Sequence, residues 1–493
     1  MATAVAPPEP TSPEPEPLPG DPRRPLLAER AISLLLAGFV ALFASGPITD
    51  NSLLTHIATG RLQVDSGLPS ENPFLTTSTD FPVPSWWWSW ALGTAENLAG
   101  SLGIRILTVA VAALLGLLVV RAARPLDRAD RPSPTLLGQA LPAAVVLAML
   151  VPFVNGRPQL PGFVLLAATL VVWRERRSPW WLVAVFAIWV NVHGSWLYGA
   201  GVLGLSWLAE AIDARHIDWA RLRWFAGAAG GLLLGGIWYP ERFRLVLLPT
   251  EQLGSEEARE AMRLYVEWQP VSAGSSYFWV LCLIVLLAAY GAWRQRLAGM
   301  AVLTVMLAFL GFGATRMLPI AAITLAGAAA VGVVATSAIA PPGHRARQVM
   351  SAVGIAALVG AVVLAATGPH EDLERYPSEE VAWLEARGLV ANPDVTVLHN
   401  DWVGNYLEYL YGADANAWID DRPAVETLLD YSSMRRLNDD WQEAFARADP
   451  DVVLWYSELP LGDELDARSD WETVLTTDDY QLLCHARIAS RCL

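Results

Sequence analysis

The hydrophobic positions of this chain of 493 residues gather into eleven long blocks, separated by shorter polar segments. Most blocks approach the length of about 20 mostly apolar residues that an α-helix needs to cross a bilayer. The pattern therefore predicts a polytopic α-helical membrane protein with about eleven transmembrane helices. The predicted spans lie near residues 31–49, 102–121, 134–154, 158–173, 178–194, 196–213, 222–239, 273–293, 297–313, 316–336 and 348–367.

Arginine clusters predict how these helices are oriented. The chain contains no lysine, and short cytoplasmic loops carry the excess of positive charge in membrane proteins. With eleven spans, every cluster falls in an alternate connection, so that all of them lie on one side. This predicts a cytoplasmic N-terminus and an extracytoplasmic C-terminus. The clusters are Arg23/Arg24/Arg30, Arg121 to Arg131, Arg174/Arg176/Arg177, Arg215/Arg221/Arg223, Arg294/Arg296 and Arg345/Arg347.

Composition supports this fold class and divides the charge unevenly. Hydrophobic residues make up 54% of the chain and the mean hydropathy is +0.34, which excludes an ordinary soluble protein. Of the formal charge of −15, residues 368–493 alone contribute about −18, because they hold 27 acidic residues and 9 arginines. An acidic external segment argues against nucleic acid as a partner.

Three regions follow from these patterns. Residues 1–27 are rich in Pro and Glu and are expected to form a disordered cytoplasmic leader. Residues 28–367 form the predicted transmembrane domain, with long external loops at 50–101 and 240–272. Residues 368–493 are expected to fold outside the membrane. Because long ordered loops usually serve function, chemistry is expected on the outer face.

The period of the hydrophobic pattern changes after the last span and predicts a small α/β domain. The predicted elements are a strand at 395–398, a helix at 403–411, strands at 417–419 and 452–455, and a hairpin of 472–476 with 480–486. Cys484 and Cys492 lie in this region. An extracytoplasmic compartment permits a disulfide between them, and two free thiols are an equal alternative.

Asp50 stands just past the first span, where a helix end meets the membrane surface. Ser52, His56 and two later polar positions recur at helical spacing, which predicts an amphipathic helix lying at the interface. Asp50 is then either the N-cap of this helix or an active-site carboxylate. His56 is either a polar-face residue or a ligand.

Aromatic and cationic residues mark further candidates on the predicted outer side. The cluster Trp86, Trp87, Trp88 and Trp90 is either an anchor in the headgroup zone or a wall for a sugar or a polyprenyl chain. Arg157 and Arg316 lie there against the positive-inside trend. Because Arg matches phosphate geometry, they are candidates for a lipid phosphate, the alternative being ion pairs with Glu267 or Asp50. Further candidates are Gln159, Asn191, His193, Glu267 and Trp268, and in the C-terminal part Asp401, Trp402, Asp420 and Arg422.

These motifs resemble those of the GT-C class of membrane glycosyltransferases, and most closely an uncharacterised bacterial group of GT-C-like proteins. That group carries an Asp-x-Asp-x-Trp-x-His-x-x-x-Gly loop after the first span. Asp50, His56 and Gly60 match it, whereas Ser52 and Leu54 replace the second Asp and the Trp. Other matching segments are Gly67 to Pro69, Asn72 to Phe74, Arg157 to Gln159, Trp189 to Gly194, Glu267 to Pro270, Arg316, His399 to Leu407 and Trp418 to Pro423.

The resemblance implies sugar transfer from a polyprenyl-phosphate donor to a glycan, lipid or protein acceptor on the outer face of a bacterial plasma membrane. Asp50 would act as the general base of an inverting displacement, with Arg157 and Arg316 near the donor phosphate. Ser52 disfavours a divalent metal, which would need several oxygen ligands, and no other cofactor is implied. The alternative is a non-catalytic lipid-glycan binding, transport or assembly scaffold protein on the same fold.

Overall fold

The computed structural model describes residues 23–78, 80–124, 136–254, 256–336, 342–422 and 424–492. Helices dominate the chain up to residue 367. They are α1 (Arg23–Phe43), α2 (Asn51–Ser66), α3 (Trp86–Ala99), α4 (Ser101–Ala122), α5 (Leu136–Leu150), α6 (Gln159–Arg174), α7 (Trp180–Val192), α8 (Trp196–Ala214), α9 (Leu222–Gly236), α10 (Arg244–Gly254), α11 (Glu256–Leu264), α12 (Ser276–Gln295), α13 (Ala298–Gly313), α14 (Leu318–Thr336) and α15 (His344–Thr367).

Each apolar segment predicted from the sequence coincides with a helix in the described residues. Among those residues, four helices are long and apolar enough to cross a membrane: Ser101–Ala122, Ser276–Gln295, Thr315–Val334 and His344–Thr367. The first helix begins at Arg23, and residues 1–22 of the predicted leader lie outside the described part of the chain.

Helix α14 lies at the centre of the helical part. Its sequence is apolar on all sides, as expected for a helix surrounded by other helices, and 94% of its most apolar window is buried. Small residues let neighbouring helices approach closely. A Cβ atom on Gly38 of α1 would lie 2.5 Å from the carbonyl oxygen of Gly354 in α15, so these helices pack backbone to backbone.

Residues 50–101, named the first external segment after the orientation predicted from the sequence, fold into α2 and α3. A Cβ on Gly60 would lie 2.1 Å from the carbonyl oxygen of Ser89, which explains why the close crossing of these helices needs glycine. The predicted amphipathic helix is therefore confirmed as a helix. Its surroundings differ from the prediction, because the polar positions Thr55 and Thr59 are buried against the C-terminal segment.

The C-terminal segment contains a four-stranded sheet of order β1-β2-β4-β3. Its strands are β1 (Val397–His399), β2 (Val452–Tyr456), β3 (Trp471–Thr476) and β4 (Tyr480–His485), and its helices are α16 (Ser378–Glu385), α17 (Asp401–Tyr411), α18 (Val425–Arg436), α19 (Trp441–Ala448), α20 (Leu461–Asp466) and α21 (Ala489–Cys492). β1 pairs parallel with β2, whereas β4 pairs antiparallel with both β2 and β3. Cys484 and Cys492 form a disulfide.

The predicted strand at 417–419 is wrong. Ala417 forms only an isolated bridge, with Leu75 of the first external segment, and its N–H donates to the carbonyl oxygen of Phe74 at 2.9 Å. The apolar run resembles a strand of the sheet in sequence. Its partner Leu75, however, lies outside the sheet and more than 300 residues away along the chain. This contact instead attaches the C-terminal segment to the first external segment.

The second external segment is also held by the C-terminal segment. Ala261 of α11 belongs to the same apolar core as Trp418 and Tyr431, and Tyr265 packs against that core. Both external segments and the sheet-containing segment therefore converge where α2 begins.

Candidate functional site

Asp50 is both the N-cap of α2 and part of a polar cluster. Its Oδ1 accepts from the backbone N–H of Leu53 at 3.2 Å, which satisfies one of the free donors at the start of the helix. The same oxygen accepts from Arg157 Nε at 2.5 Å, and Oδ2 accepts from Asn155 Nδ2 at 3.1 Å. The two alternatives left open by the sequence are therefore not exclusive, because one carboxylate caps the helix and meets the arginine.

Arg157 connects the two external segments. Its Nε contacts Asp50, its Nη1 donates to Glu267 Oε1 at 2.9 Å, and its Nη2 donates to Asn51 Oδ1 at 3.2 Å. Burial would lower the pKa of this guanidinium, but Asp50 and Glu267 outweigh burial and raise it. Arg157 thus remains charged and holds two carboxylates from separate segments around one cation.

Arg316 extends this chain of charges. Its Nη1 lies 3.4 Å from Glu267 Oε2, and its guanidinium carbon stands 5.3 Å from the ring centre of Trp268. His193 Nε2 lies 3.5 Å from Arg316 Nη2. Because His193 Nδ1 accepts from the backbone N–H of Ser195 at 3.1 Å, a neutral His193 carries its proton on Nε2. The N–H groups of Arg316 Nη2 and His193 Nε2 then lie side by side, and such a pair of donors can bind an anionic oxygen.

His56 joins this region from the buried side of α2. Its Nδ1 lies 3.1 Å from Ser89 Oγ and 3.3 Å from Ser85 Oγ. Burial, followed by the charges of Arg422 and Arg157, holds the pKa of His56 well below its usual range. His56 is therefore neutral at physiological pH and cannot contribute a positive charge for a phosphate.

Arg422 joins the C-terminal segment to α2. Its Nε and Nη2 donate to Asp420 Oδ2 and Glu408 Oε2, both at 2.8 Å, and its Nη1 donates to Thr59 Oγ1 at 3.0 Å. Asp420 and Glu408 have fully buried side chains. Burial and the neighbouring acids raise the pKa of Glu408 well above its usual value, whereas the same acids raise that of Arg422 against the effect of its burial.

Asp421 is a site residue that the sequence analysis missed. Ser52 lies beside its carboxylate, and both Ser52 and Arg157 favour the charged form of Asp421 and so lower its pKa. Its Oδ1 is buried and has no hydrogen-bond partner within the described residues. Burial first, and then Asp420, raise the pKa of Asp421 to about 6. The useful signal was its position between Asp420 and Arg422, which were themselves chosen as candidates.

The contact with Asp421 explains Ser52, since an aspartate at position 52 would meet another carboxylate. We expect Ser52→Asp to lower the thermal unfolding temperature of the purified protein, because two like charges would share a buried place. Adding Asp421→Ser should restore stability, with a coupling free energy of about 0.5 to 3 kcal/mol in a double-mutant cycle. Additive effects of the two changes would contradict the contact.

The structure does not bring all candidates to Asp50. Trp88 is buried, and its Nε1 donates to the carbonyl oxygen of Gly156 at 2.7 Å. Trp87 stacks on Trp238 with ring centres 5.0 Å apart. Asn191 is fully buried and donates to the carbonyl oxygens of Ala187 and Gly235. These side chains contribute to the packing around the site. Their contacts favour a structural role for Trp88 and Asn191 over a stacking wall and a substrate ligand.

Three other candidates lie at the edge of the cluster. Gln159 opens α6 and is half-buried, two residues after Arg157. Asp401 Oδ1 accepts from the hydroxyl of Tyr431 at 3.0 Å. Trp402 Nε1 donates to the hydroxyl of Tyr480 at 3.0 Å. Asp401 and Trp402 therefore contact α18 and β4, on the sheet side of the C-terminal segment.

No protein-family model matches the chain, and no curated protein does either. Solved structures of archaeal membrane enzymes do match. The oligosaccharyltransferase AglB from Archaeoglobus fulgidus, in complex with an inhibitory peptide and a dolichol-phosphate, matches with a TM-score of 0.51 and 9% identity over 87% of this chain and 69% of that one. An oligosaccharyltransferase from the same organism, in complex with Zn and sulfate, gives 0.54 and 11% over 89% and 70%.

The chain has the fold of these oligosaccharyltransferases. The likeness covers most of its length, including helices and C-terminal segment, whereas the identity is too low to carry over individual residues. It supports the resemblance to the GT-C class noted in the sequence, at the level of the fold. Substrates and residue roles have to be argued from the side chains of this chain.

Proposed function

We propose that this protein is a membrane glycosyltransferase that moves a sugar from a polyprenyl-phosphate donor to an acceptor hydroxyl on the outer face of a bacterial plasma membrane. The observation that carries the proposal is the chain of alternating charges Asp50, Arg157, Glu267 and Arg316. It lies in a protein with an oligosaccharyltransferase fold, beside a neutral histidine that offers a further donor.

The proposed reaction is a single inverting displacement. The acceptor oxygen attacks the anomeric carbon while the bond from that carbon to the phosphate oxygen breaks, and the lipid phosphate leaves with the electron pair. The proton of the acceptor hydroxyl passes to Asp50 Oδ2, whose hydrogen-bond partner in the described residues is a neutral amide, at 3.1 Å from Asn155. Arg316 and His193 stabilise the charge that develops on the phosphate.

The residues at this centre do not fit a divalent metal. Asp50 Oδ1 and Glu267 Oε1 are hydrogen-bonded to the guanidinium of Arg157, and Glu267 Oε2 faces Arg316, so that Asp50 Oδ2 alone would be open to an ion. Residue 52, which could supply a further carboxylate, is a serine. We therefore assign the cationic role to Arg157 and Arg316 and derive no step through a metal.

The topology that we propose has about eleven membrane crossings, a cytoplasmic N-terminus and the α/β domain of residues 368–493 outside. Arginine clusters in alternate connections support this orientation. The disulfide between Cys484 and Cys492 supports it independently, because disulfides persist in oxidising compartments. In this topology the domain covers the site through Asp420, Asp421 and Arg422. Its Asp401 and Trp402 lie further inside the domain, in contact with Tyr431 and Tyr480.

The proposal is tested with purified protein in lipid nanodiscs and a panel of radiolabelled polyprenyl-phosphate hexoses and pentoses. The readout is label that leaves the lipid, either on an acceptor or on water. Failure to turn over any donor, together with donor binding, would favour the non-catalytic alternative. That alternative has one observation in its favour, since the N-cap and arginine contacts of Asp50 would suit a purely structural carboxylate.

Arg316 should act on the donor. We expect Arg316→Gln to raise the KM for the polyprenyl-phosphate sugar by about tenfold or more, because a charged hydrogen bond to phosphate is worth about 1.5–3 kcal/mol. The control is Arg244→Gln, which removes an external arginine that pairs with Asp80. Equal KM values for the two variants would contradict the assignment of Arg316 to the phosphate.

A further inference from the structure

A cavity of about 230 Å³ opens beside Asp50. It lies between the outer end of α1, the first half of α4 and the segment 151–156 that follows α5. Its walls include Phe43, Gly46, Asp50, Arg105, Thr108 and Asn155.

Asp50 stands between the cavity and the arginines. Asp50 and Asn155 line the cavity, and they meet through Asp50 Oδ2. Arg157 approaches the other oxygen, Oδ1, and neither it nor Arg316 lines the cavity. An inverting displacement needs its nucleophile and its leaving group on opposite sides of the anomeric carbon. With the phosphate at the arginines, the cavity is the side from which the acceptor arrives.

The polar groups of the wall favour an uncharged occupant. Arg105 donates to the carbonyl oxygens of Ser45, Gly46, Leu364 and Gly368 and has little left to offer an anion. Thr108 donates to the carbonyl oxygen of its own helix at 2.9 Å. The two charged groups of the wall are Asp50 and Arg105. Four carbonyl oxygens already surround the cation of Arg105, whereas Asp50 Oδ2, with the amide of Asn155 as its partner, can still accept a hydrogen bond from a hydroxyl and repels an anion placed next to it.

The apolar groups of the wall favour an occupant that is attached to a lipid or to another apolar chain. Phe43, at the end of the first apolar helix, lines the cavity with 60% of its surface exposed. Leu53, Ile104 and Val154 form a buried apolar side. The volume of about 230 Å³ is below the roughly 300 Å³ at which pockets for drug-sized ligands begin, so it suits a single sugar ring.

We propose that this cavity is the acceptor subsite and that the acceptor is an uncharged, hydroxyl-bearing headgroup of about one sugar ring, carried by an apolar chain. This inference rests on the proposed transferase function and narrows its acceptor. A free soluble sugar lacks the apolar part, and an acidic sugar is repelled by Asp50.

Alkyl glycosides provide the probes. With the wild-type protein, we expect transfer to octyl β-glucoside to exceed transfer to octyl β-glucuronide and to free glucose by at least tenfold each. Donor turnover with water as the acceptor is measured in parallel. If the donor is turned over but none of the three sugars accepts, or if the glucuronide accepts as well as the glucoside, the acceptor inference fails and the donor chemistry stands. If no donor is turned over, the proposed function itself fails.

Gly46 allows the cavity to be filled without disturbing its walls. A Cβ atom there meets no atom within 4 Å. We expect Gly46→Leu to lower transfer to octyl β-glucoside at least tenfold while donor turnover with water persists. The matched control is Gly204→Leu in α8, where an added Cβ also meets nothing within 4 Å, outside the cavity wall. Equal transfer in the two variants, or loss of water turnover in Gly46→Leu, would overturn the inference.

A second variant guards against a folding defect in Gly46→Leu. Phe43→Ser removes the exposed aromatic ring from the cavity wall without touching Asp50 or Asn155. We expect its KM for octyl β-glucoside to rise at least threefold, whereas its KM for the lipid donor stays unchanged. An unchanged KM for the glycoside would contradict the apolar part of the acceptor subsite.

Discussion

Asp50→Asn is expected to lower sugar transfer at least a hundredfold while leaving the amount of folded protein unchanged. The loss follows because an amide cannot take the acceptor's proton, and general base catalysis contributes a factor of about 10² to 10⁴. Folding should persist because asparagine caps helices as well as aspartate does, so the bond to the Leu53 N–H of α2 is kept. Arg157 also retains Glu267 and Asn51 as partners.

The measurement is label transfer per mole of protein in nanodiscs, with abundance and thermal unfolding recorded on the same samples. Asp218→Asn serves as the control, since Asp218 also caps a helix through its side chain, accepting from Ala220 N–H at 3.1 Å. Asp218→Asn should match the wild type in label transfer and in thermal unfolding. Wild-type transfer by Asp50→Asn would remove Asp50 from the chemistry and leave it the role of a cap and an anchor for Arg157.

Local patterns predicted the helices well and the long-range contacts poorly. Apolar blocks of nearly membrane-spanning length predicted the helices correctly. The buried face of a helix leaves a periodic pattern of hydrophobic residues in the sequence of that helix. The prediction of a strand at 417–419 failed because Ala417 pairs with Leu75, across the whole helical part. Nothing in the sequence near Ala417 records that partner.

The candidate residues show the same division. Arg157 and Arg316 stood out because the predicted orientation places them against the positive-inside trend, and both do reach Glu267. Trp88 and Asn191 were chosen by residue type, although the structure uses their polar atoms for the carbonyl oxygen of Gly156 and for helix packing. Residue type alone does not distinguish a ligand from a polar group that the fold needs.

Asp421 was missed because its importance comes from position 52, where the sequence shows only the absence of an acid. A serine there reads as a lost ligand until the C-terminal segment is placed against it. In the structure, Ser52 lies beside Asp421 of the C-terminal segment, which is distant from it in sequence. The site is thus assembled from the first external segment, the second, and the C-terminal segment, and no one of them contains it.

Arg422 connects the C-terminal segment to α2. We expect Arg422→Leu to lower the free energy of unfolding of the protein by about 3–5 kcal/mol. The change leaves Glu408 and Asp420 buried without the cation that both of them contact at 2.8 Å. It also removes the hydrogen bond to Thr59 and the contacts of the guanidinium with the rings of Phe74 and Phe81. We expect a lower unfolding temperature and faster proteolysis of the C-terminal segment.

Lowering the pH should reverse part of this loss. Without Arg422, the buried carboxyl of Glu408 favours its protonated form more strongly, so that its pKa in the folded protein rises further above the unfolded value of about 4. The folded state then binds more protons than the unfolded state between these values, and its stability rises as the pH falls from 7 towards 4. The difference from the wild type should therefore narrow at acidic pH.

Arg447→Leu is the matched control for both measurements. Arg447 also makes two hydrogen bonds to a carboxylate, that of Asp430, but its side chain is 56% exposed. Water can replace that pair, so its loss should change neither the unfolding temperature nor the proteolysis. If the two variants were equally stable, the contact between α2 and the C-terminal segment would not depend on the buried charges. The apolar core that α2 shares with α17, which includes Leu54, Ile57 and Leu407, would then have to hold the segment over the site.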